Sequence, residues 1–291
     1  MPCEPAGLVL ILYEKVLRMK IFRISLLSLF ILIFCFSAAP ATEAKAKAHS
    51  SRSTSYGREF YRGLAKRRSK DRADYPHLTD EEFANFRAVS TTGMGRGKLY
   101  RSSSPVHPWG NRDLIADNAA RAAGIKTFIN LADTEKKLRG YKGFQSSYYS
   151  TQNIICLDLN WKYQSDVFRR RLAEGLRLMA HNQPPFLVHC SMGKDRAGFV
   201  CAILEALMGA SAEEITADYL VSFYNYFGIR PHTREYDFVA HNEIRSSLAA
   251  AFAVKDISKA DLASAAERYL LRIGVPATDI EALRRKLGTE P

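Results

Sequence analysis

The chain has 291 residues, 47% of them hydrophobic, so it is long enough to bury one substantial core or two small ones. Its formal net charge is +12, an excess that suits anionic ligands, anionic lipid surfaces or nucleic acid without choosing among them. The sequence has no Cys/His zinc spacing and no aromatic ribonucleoprotein motif, so it gives no support for nucleic-acid binding or for a bound metal.

The first 41 residues have the pattern of an export signal. A basic start at Met19 precedes a 13-residue, predominantly apolar core, Ile24 to Phe36, and small residues follow at Ala39 and Ala41. This predicts a signal peptide over residues 1–41, with Met19 as the true start and cleavage after Ala41. We therefore expect an exported protein, periplasmic or secreted, that stays tethered to the membrane if the signal is not cleaved.

Residues 42–75 are rich in Lys, Arg, Ser and Ala and show no sustained apolar period. This composition predicts a flexible basic tail. A solvated linker is the favoured interpretation of the tail, and binding to anionic lipid head groups is the alternative.

A folded domain is predicted over residues 76–291. In its first part, apolar β-branched runs alternate with segments of helical period, which predicts an α/β fold with a mainly parallel sheet flanked by helices. From about residue 211 only helical patterns remain, which predicts an α-helical C-terminal part. The predicted strands lie at 97–103, 125–131, 154–157 and 186–188, and the predicted helices at 111–123, 165–179, 196–209, 213–227, 236–253, 259–273 and 279–287.

The loop after the last predicted strand carries the chemistry. A tight turn from a strand into a helix can point its N–H groups inward, and the helix N-terminus adds partial positive charge, so the loop is suited to hold an anion. This field favours the thiolate form of Cys190, and Arg196 offers two parallel donors to two phosphate oxygens. These features predict displacement of an alcohol from a phosphate monoester through a cysteinyl-phosphate. Between the two residues lie Ser191, Met192, Gly193, Lys194 and Asp195.

The run from His189 to Gly198 resembles the signature loop of the cysteine-dependent tyrosine and dual-specificity phosphatases, which read His-Cys, five residues and Arg. Its Gly-Lys-Asp-Arg segment, residues 193–196, is similar to the same segment in a subgroup of bacterial tyrosine phosphatases with some activity toward phosphoinositides. The resemblance spans about residues 80–290. It implies a tyrosine-phosphatase-like fold, no cofactor, and a phosphorylated protein or another anionic phosphate ester as substrate.

The resemblance also implies roles for individual residues. Cys190 would be the nucleophile, Arg196 and the N–H groups of residues 191–196 would hold the phosphate oxygens, and His189 would help to keep the thiol acidic. Two segments would brace the site from below, residues 85–87 and residues 100–102, and Arg101 is the supporting residue expected from the second.

A general acid is implied as well, normally an aspartate on a loop after an upstream strand. Asp158 and Asp166 are the two candidates. Asp158 lies 32 residues before Cys190 with one strand end and one helix between, so it is preferred. Asp166 follows a predicted helix cap, where the helix dipole alone explains an acidic residue.

Two positions of the loop bear on substrate and rate. Lys194 either adds a charge for polyanionic substrates or points to solvent, and the sequence leaves both open, while Asp195 is expected to orient Arg196 or its neighbours. Ala197 stands where the family usually has Ser or Thr, whose hydroxyl assists release of the cysteine. Its absence predicts slow hydrolysis of the phosphocysteine, seen as a burst of product.

Three cysteines lie beyond residue 41: Cys156, Cys190 and Cys201. Cys156 is predicted on a strand near the loop, so a reversible disulfide with Cys190 is one hypothesis. The favoured interpretation is that Cys156 and Cys201 are ordinary core residues.

The leading interpretation is thus an exported tyrosine or dual-specificity phosphatase. The alternatives are a phosphatase for phosphoinositides or inositol phosphates and a catalytically weak phosphate-binding module. A rhodanese-like sulfur transferase also uses a cysteine loop, but an arginine at this spacing fits phosphate better.

Overall fold

A computed structural model describes residues 55–289, and the structural findings below concern those residues. The predicted signal peptide over residues 1–41 lies outside the described residues, as does the first part of the predicted tail. Within the described part of the chain, no helix is both long and apolar enough to cross a membrane.

Five strands form one mixed sheet in the order β1-β2-β5-β3-β4. The edge strand β1 runs antiparallel to β2, and all other neighbours are parallel. The carboxyl ends of the parallel strands therefore meet at one edge of the sheet. The strands are β1 (Arg87–Ala88), β2 (Leu99–Ser102), β3 (Thr127–Asn130), β4 (Asn153–Cys156) and β5 (Phe186–His189).

Both faces of the sheet are covered by helices. Side chains alternate between the faces along a strand, so Val188 of β5 and Ile129 of β3 join the larger core, while Leu187 and Phe128 join a smaller core on the other face. This confirms the predicted α/β fold with a mainly parallel sheet flanked by helices.

The helices follow the predicted order, and the C-terminal part is helical as expected. One stretch, residues 234–252, contains a π-helical segment, Ala240–Arg245. The α-helices are α1 (Ser55–Arg67), α2 (Asp80–Phe83), α3 (Asp113–Ala122), α4 (Glu135–Arg139), α5 (Asp166–Ala180), α6 (Asp195–Leu207), α7 (Ala212–Phe227), α8 (Arg234–Val239), α9 (Ser246–Phe252), α10 (Leu262–Ile273) and α11 (Ala277–Leu287).

Helix α6 lies beneath the loop that follows β5. Every residue from Arg196 to Leu207 is buried, as expected for the nearly all-apolar sequence of this helix. It packs against β5, β2, α7, α9 and α10, so the loop is held between the central strand and the most buried helix.

Helix α1 differs from the prediction of a flexible tail over residues 42–75. Phe60 and Leu64, four residues apart and so on one face of the helix, are buried in the larger core. The Phe60 ring meets the ring of Phe238 edge-on at a centroid distance of 4.8 Å, and Arg67 forms two hydrogen bonds with Glu235. Contacts with α8, distant in sequence, therefore give this basic segment a fixed place in the fold.

Candidate active site

The candidate active site is the loop of residues 190–194 between β5 and α6. Cys190, the first residue of the loop, is 1% exposed. Gly193 has a φ of +66°, and a Cβ at this position would lie 2.0 Å from the carbonyl oxygen of Ser102 in β2. Only glycine permits both this backbone conformation and this close approach.

The carbonyl groups of loop residues 191–194 accept hydrogen bonds from the surrounding structure. The donors are Ser104 N–H for Ser191 (3.3 Å), Asn85 Nδ2 and Tyr226 O–H for Met192 (3.1 and 2.9 Å), and Arg101 Nη2 for Gly193 and Lys194 (2.9 Å each).

This arrangement determines the direction of the N–H groups. In a trans peptide the N–H points opposite to the preceding carbonyl. Since the carbonyls of residues 191–194 are held by the structure around the loop, the N–H groups of residues 192–195 point away from those donors. A run of such N–H groups at the start of a helix is an anion-binding cradle.

A buried ion network holds the arginine beneath the loop. Asp218 of α7 accepts hydrogen bonds from Arg101 at 2.6 Å and from Arg87 at 2.8 Å. Burial by itself would raise the pKa of Asp218, but the two guanidinium groups bring it below its ordinary value. Burial, together with the charge of Asp218, raises the pKa of nearby Glu205 well above its usual range. Asp218 thus forms ion pairs with two guanidinium groups below the cradle.

The guanidinium of Arg196, in the first turn of α6, is held along one edge. Its Nη1 donates to the carbonyl oxygens of Leu159, at 2.9 Å, and Leu131, at 3.4 Å. Nη2 makes a 3.5 Å contact with Ser191 Oγ, and Nε is buried without a hydrogen-bond partner among residues 55–289. The second edge, Nε and Nη2, therefore offers two parallel donors, the geometry that binds two oxygens of a phosphate.

Trp161 lies over this guanidinium, with 4.6 Å between the guanidinium carbon of Arg196 and the ring centroid. The tryptophan is 59% exposed. An exposed aromatic ring thus lies beside the Arg196 guanidinium, where it can contact the organic part of an ester.

His189 is fully buried behind Cys190. Its Nε2 is 2.8 Å from the hydroxyl of Tyr149, and burial lowers the pKa of the imidazole to about 4. The ring is therefore neutral at neutral pH and adds no positive charge.

The side chain of Lys194 does not point to solvent, which was one of the two possibilities left open by the sequence. Its Nζ lies 2.5 Å from Asp195 Oδ1 and 4.2 Å from the ring centroid of Phe223, and the side chain is 12% exposed. The ammonium group is thus paired and held against α7. Asp195, expected to orient Arg196 or its neighbours, binds this lysine, two positions before Arg196.

Among the described residues, the carboxylate of neither candidate acid contacts the loop. Asp158 accepts a 2.8 Å hydrogen bond from Arg171 and lines a groove of about 620 Å³ along the outer edge of β4. Its backbone has a φ of +42°, and the next residue, Leu159, supplies the carbonyl that holds Arg196. Asp166 is 94% exposed at the start of α5.

The geometry contradicts a disulfide between Cys156 and Cys190. Cys156 in β4 is aligned with Asn130 in β3, which is aligned with His189 in β5. Two strand spacings are about 9.5 Å, well beyond the Cα separation of a disulfide. The thiols also pack in different cores, and burial raises the pKa of Cys156 to about 11. Cys201 is a buried core residue, as favoured from the sequence.

Several residues that shape the site were not predicted as parts of it. Their roles arise from packing between elements far apart in sequence, so no local motif indicates them. They are Tyr226, Asp218 and Ser222 of α7, Ser104 after β2, and Trp161 after β4.

Comparisons with known proteins identify the family. The sequence model of the tyrosine phosphatase family matches residues 81–289. Over 155 residues the chain is 32% identical to the triple specificity protein phosphatase PtpB of Mycobacterium tuberculosis, which covers 50% of this chain and 52% of that protein. The chain thus spans about half the length of this curated relative.

Among solved structures, the core catalytic domain of the PP-IP phosphatase SIW14 from S. cerevisiae, in complex with citrate, is similar at a TM-score of 0.34 and 20% identity. The match covers 55% of this chain and 85% of that one. A second structure of the Siw14 catalytic core has a TM-score of 0.34 and 18% identity, over 53% and 82% of the two chains. Because the family's sequence model spans residues 81–289, well over half of the chain, this protein belongs to the tyrosine phosphatase family.

Proposed function

We propose that this protein is an exported protein tyrosine or dual-specificity phosphatase that acts through a cysteinyl-phosphate intermediate. The observation that carries the proposal is the bracing of the loop carbonyls by Ser104, Asn85, Tyr226 and Arg101. It turns consecutive N–H groups toward one side, next to a buried cysteine.

In the first step, the Cys190 sulfur forms a bond to phosphorus and the bond from phosphorus to the ester oxygen breaks. The loop N–H groups and the Nε and Nη2 edge of Arg196 hold the three remaining phosphate oxygens. In the second step, water attacks phosphorus, the sulfur leaves as thiolate, and inorganic phosphate is released.

Asp158 is the proposed donor of the proton to the leaving oxygen. Its carboxylate pairs with Arg171, so it must exchange this partner for the substrate during catalysis. The adjacent Leu159 carbonyl contacts Arg196, which couples this backbone segment to phosphate binding.

Ala197 is proposed to make the second step slow. It lies in the first turn of α6, fully buried, and carries no hydroxyl. A pre-steady-state time course at high enzyme concentration should show a burst followed by a slow phase, and Ala197→Thr should raise the slow rate. A linear time course would contradict this.

Two alternatives lead to different outcomes. A phosphatase for phosphoinositides or inositol phosphates is suggested by the positive net charge. A phosphate-binding module with weak catalysis is suggested by Ala197 and by the pairing of Asp158 with Arg171.

The deciding experiment is a substrate panel of para-nitrophenyl phosphate, a phosphotyrosine peptide and phosphoinositides, with Cys190→Ser beside the wild type. We expect wild-type turnover of the aryl phosphate and the peptide, and none by the serine variant. Preference for the lipid would favour the first alternative, and binding without turnover the second. Fractionation of expressing cells, with N-terminal sequencing of the exported chain, tests the proposed export and cleavage.

A further inference from the structure

The segment that follows α1 reaches the rim of the phosphate-binding loop. Arg68 Nη1 lies 3.8 Å from the sulfur of Met192, a partly exposed residue of the loop. The same guanidinium stacks on Trp109, with 4.2 Å between its central carbon and the ring centroid. Trp109 lies in the segment after β2, so the Arg68 guanidinium contacts both a side chain of the loop and a ring of that segment.

Contacts on both sides fix this segment. Arg67 pairs with Glu235 of α8, the N–H of Ser69 donates to the Tyr75 hydroxyl at 3.0 Å, and the carbonyl of Lys70 accepts from Asn111 at 3.3 Å. An arginine held through its neighbours loses less conformational entropy when it binds a ligand than one on a free tail.

The charge of Arg68 is not neutralised locally. Arg67 and Arg72 each pair with a carboxylate, whereas no carboxylate lies within 4.0 Å of the Arg68 guanidinium among residues 55–289. Lys194, the loop cation, is occupied by Asp195 and Phe223. At the rim beside Met192, Arg68 is thus an exposed and unpaired cation.

Arg68 also lies outside residues 81–289, the segment that matches the family. We propose that Arg68 forms a second anion subsite, which selects substrates that carry a second phosphate beside the one being hydrolysed. This inference rests on the proposed function, since it concerns the same site. The guanidinium would donate to the second phosphate while its plane remains stacked on Trp109.

The kinetic test compares Arg68→Met and Arg68→Lys with Arg62→Met. Arg62 is an exposed arginine of α1, so its replacement removes the same charge away from the rim. The substrates form two pairs: inositol 1-phosphate with inositol 1,4-bisphosphate, and a phosphotyrosine peptide with the same peptide bearing a second phosphotyrosine. The measured quantity is the ratio of kcat/KM for the doubly phosphorylated member to that for the singly phosphorylated member.

A hydrogen bond between charged groups contributes about 1.5–3 kcal/mol, which corresponds to roughly 10-fold to 100-fold in this ratio. Arg68→Met should therefore lower the ratio at least about tenfold in one pair, Arg68→Lys should lower it less, and Arg62→Met should leave it unchanged. The pair that responds identifies the source of the second phosphate. An unchanged ratio in both pairs, or an equal loss in Arg62→Met, would overturn the proposal.

A binding measurement separates this inference from the proposed function. The chain has two tryptophans, so in a Cys190→Ser, Trp161→Phe background the fluorescence reports on Trp109 alone. Titration with the two inositol phosphates should show tighter binding of the bisphosphate, and Arg68→Met should abolish the difference. If the wild type hydrolyses no monoester but this difference is found, the proposed function fails and the subsite stands. If Arg68 is still present and the two inositol phosphates bind with equal affinity, the subsite is overturned for inositol phosphates. The same titration with the two phosphotyrosine peptides decides whether the subsite holds for phosphopeptides.

Discussion

Two arginines contact the same loop with opposite tasks. Arg101 is fully buried. Its Nη1 donates to Asp218 and its Nη2 donates to two loop carbonyls, so it orients the peptide groups of the loop. Arg196 is anchored by Nη1 on two carbonyls and by a 3.5 Å contact of Nη2 with Ser191 Oγ, while its Nε has no hydrogen-bond partner among residues 55–289. Lysine could replace neither, because a single ammonium group lacks the planar fork that each task uses.

The first prediction concerns the general acid. Asp158→Asn should lower kcat about 10²–10⁴-fold on an alkyl phosphate and far less on para-nitrophenyl phosphate, whose leaving group needs little proton transfer. Arg171→Met removes the ion pair but keeps the carboxylate, so it should not reproduce this split. Steady-state kinetics on both substrates checks the prediction, and equal losses of Asp158→Asn on both would exclude the acid role.

The second prediction concerns pH and His189. Its pKa is about 4 in the fold against 6.5 for an unperturbed histidine, so the unfolded chain binds more protons between these values. The contribution of His189 to the free energy of unfolding is complete above about pH 6.5 and is lost as the pH falls toward 4. The loss amounts to at most about 3 kcal/mol.

Denaturant unfolding at a series of pH values measures this contribution. His189→Gln should show a shallower loss of the free energy of unfolding between pH 6.5 and 4 than the wild type. His232→Gln, at an exposed position, should follow the wild type. Parallel curves for the wild type and His189→Gln would show that His189 is not held neutral.

At the scale of elements, strand β5, the loop and helix α6 form one unit, and strand β2 packs against its side. Gly193 contacts the backbone of Ser102, and Ser102 lies next to Arg101, which binds the carbonyl of Gly193. Strand β2 therefore supplies both the surface against which the loop turns and the donor that orients it.

The third prediction tests this contact with a matched pair of glycines. Gly193 and Gly228 have φ values of +66° and +68°, but only at Gly193 would a Cβ clash, since nothing lies within 4 Å of the corresponding position at Gly228. Gly228→Ala should cost about 1–2 kcal/mol from the left-handed conformation alone. Gly193→Ala should cost about 1–3 kcal/mol more from overpacking and should also lower activity. Similar unfolding free energies for the two variants would contradict the tight contact.

At the scale of the whole molecule, α1 extends the domain beyond the family-matched segment. The aromatic contact between Phe60 and Phe238 and the ion pair between Arg67 and Glu235 hold it against α8. A segment whose composition predicts a tail thereby becomes part of the core and brings basic residues to the site.

The fourth prediction follows from this docking. Phe60→Ala should lower the free energy of unfolding by about 3 kcal/mol, because it removes a buried ring from the core. Arg62→Ala, on the exposed face of the same helix, should change it by no more than about 0.5 kcal/mol. Chemical denaturation of the wild type and the two variants measures these free energies of unfolding. A Phe60→Ala variant as stable as the wild type would contradict this docking and support the interpretation of the segment as a flexible tail.

The sequence by itself determined the fold class and the loop between β5 and α6. Alternating strand and helix patterns are local, and the spacing of Cys190 and Arg196 lies within seven residues, so both can be recognised without knowing what packs against them. The confirmed α/β fold and helical C-terminal part depended on these local signals.

Only the tertiary structure decided which charges face the ligand. Lys194 turns to Phe223 of α7, Asp158 turns to Arg171 of α5, and Arg68 reaches Met192 across 124 positions. These orientations depend on which side chains the fold brings together, and partners so far apart in sequence leave no periodic signal along the chain. The strand, loop and helix that carry Cys190 and Arg196 were thus predictable from a short motif, whereas the charges around the loop required the packed molecule.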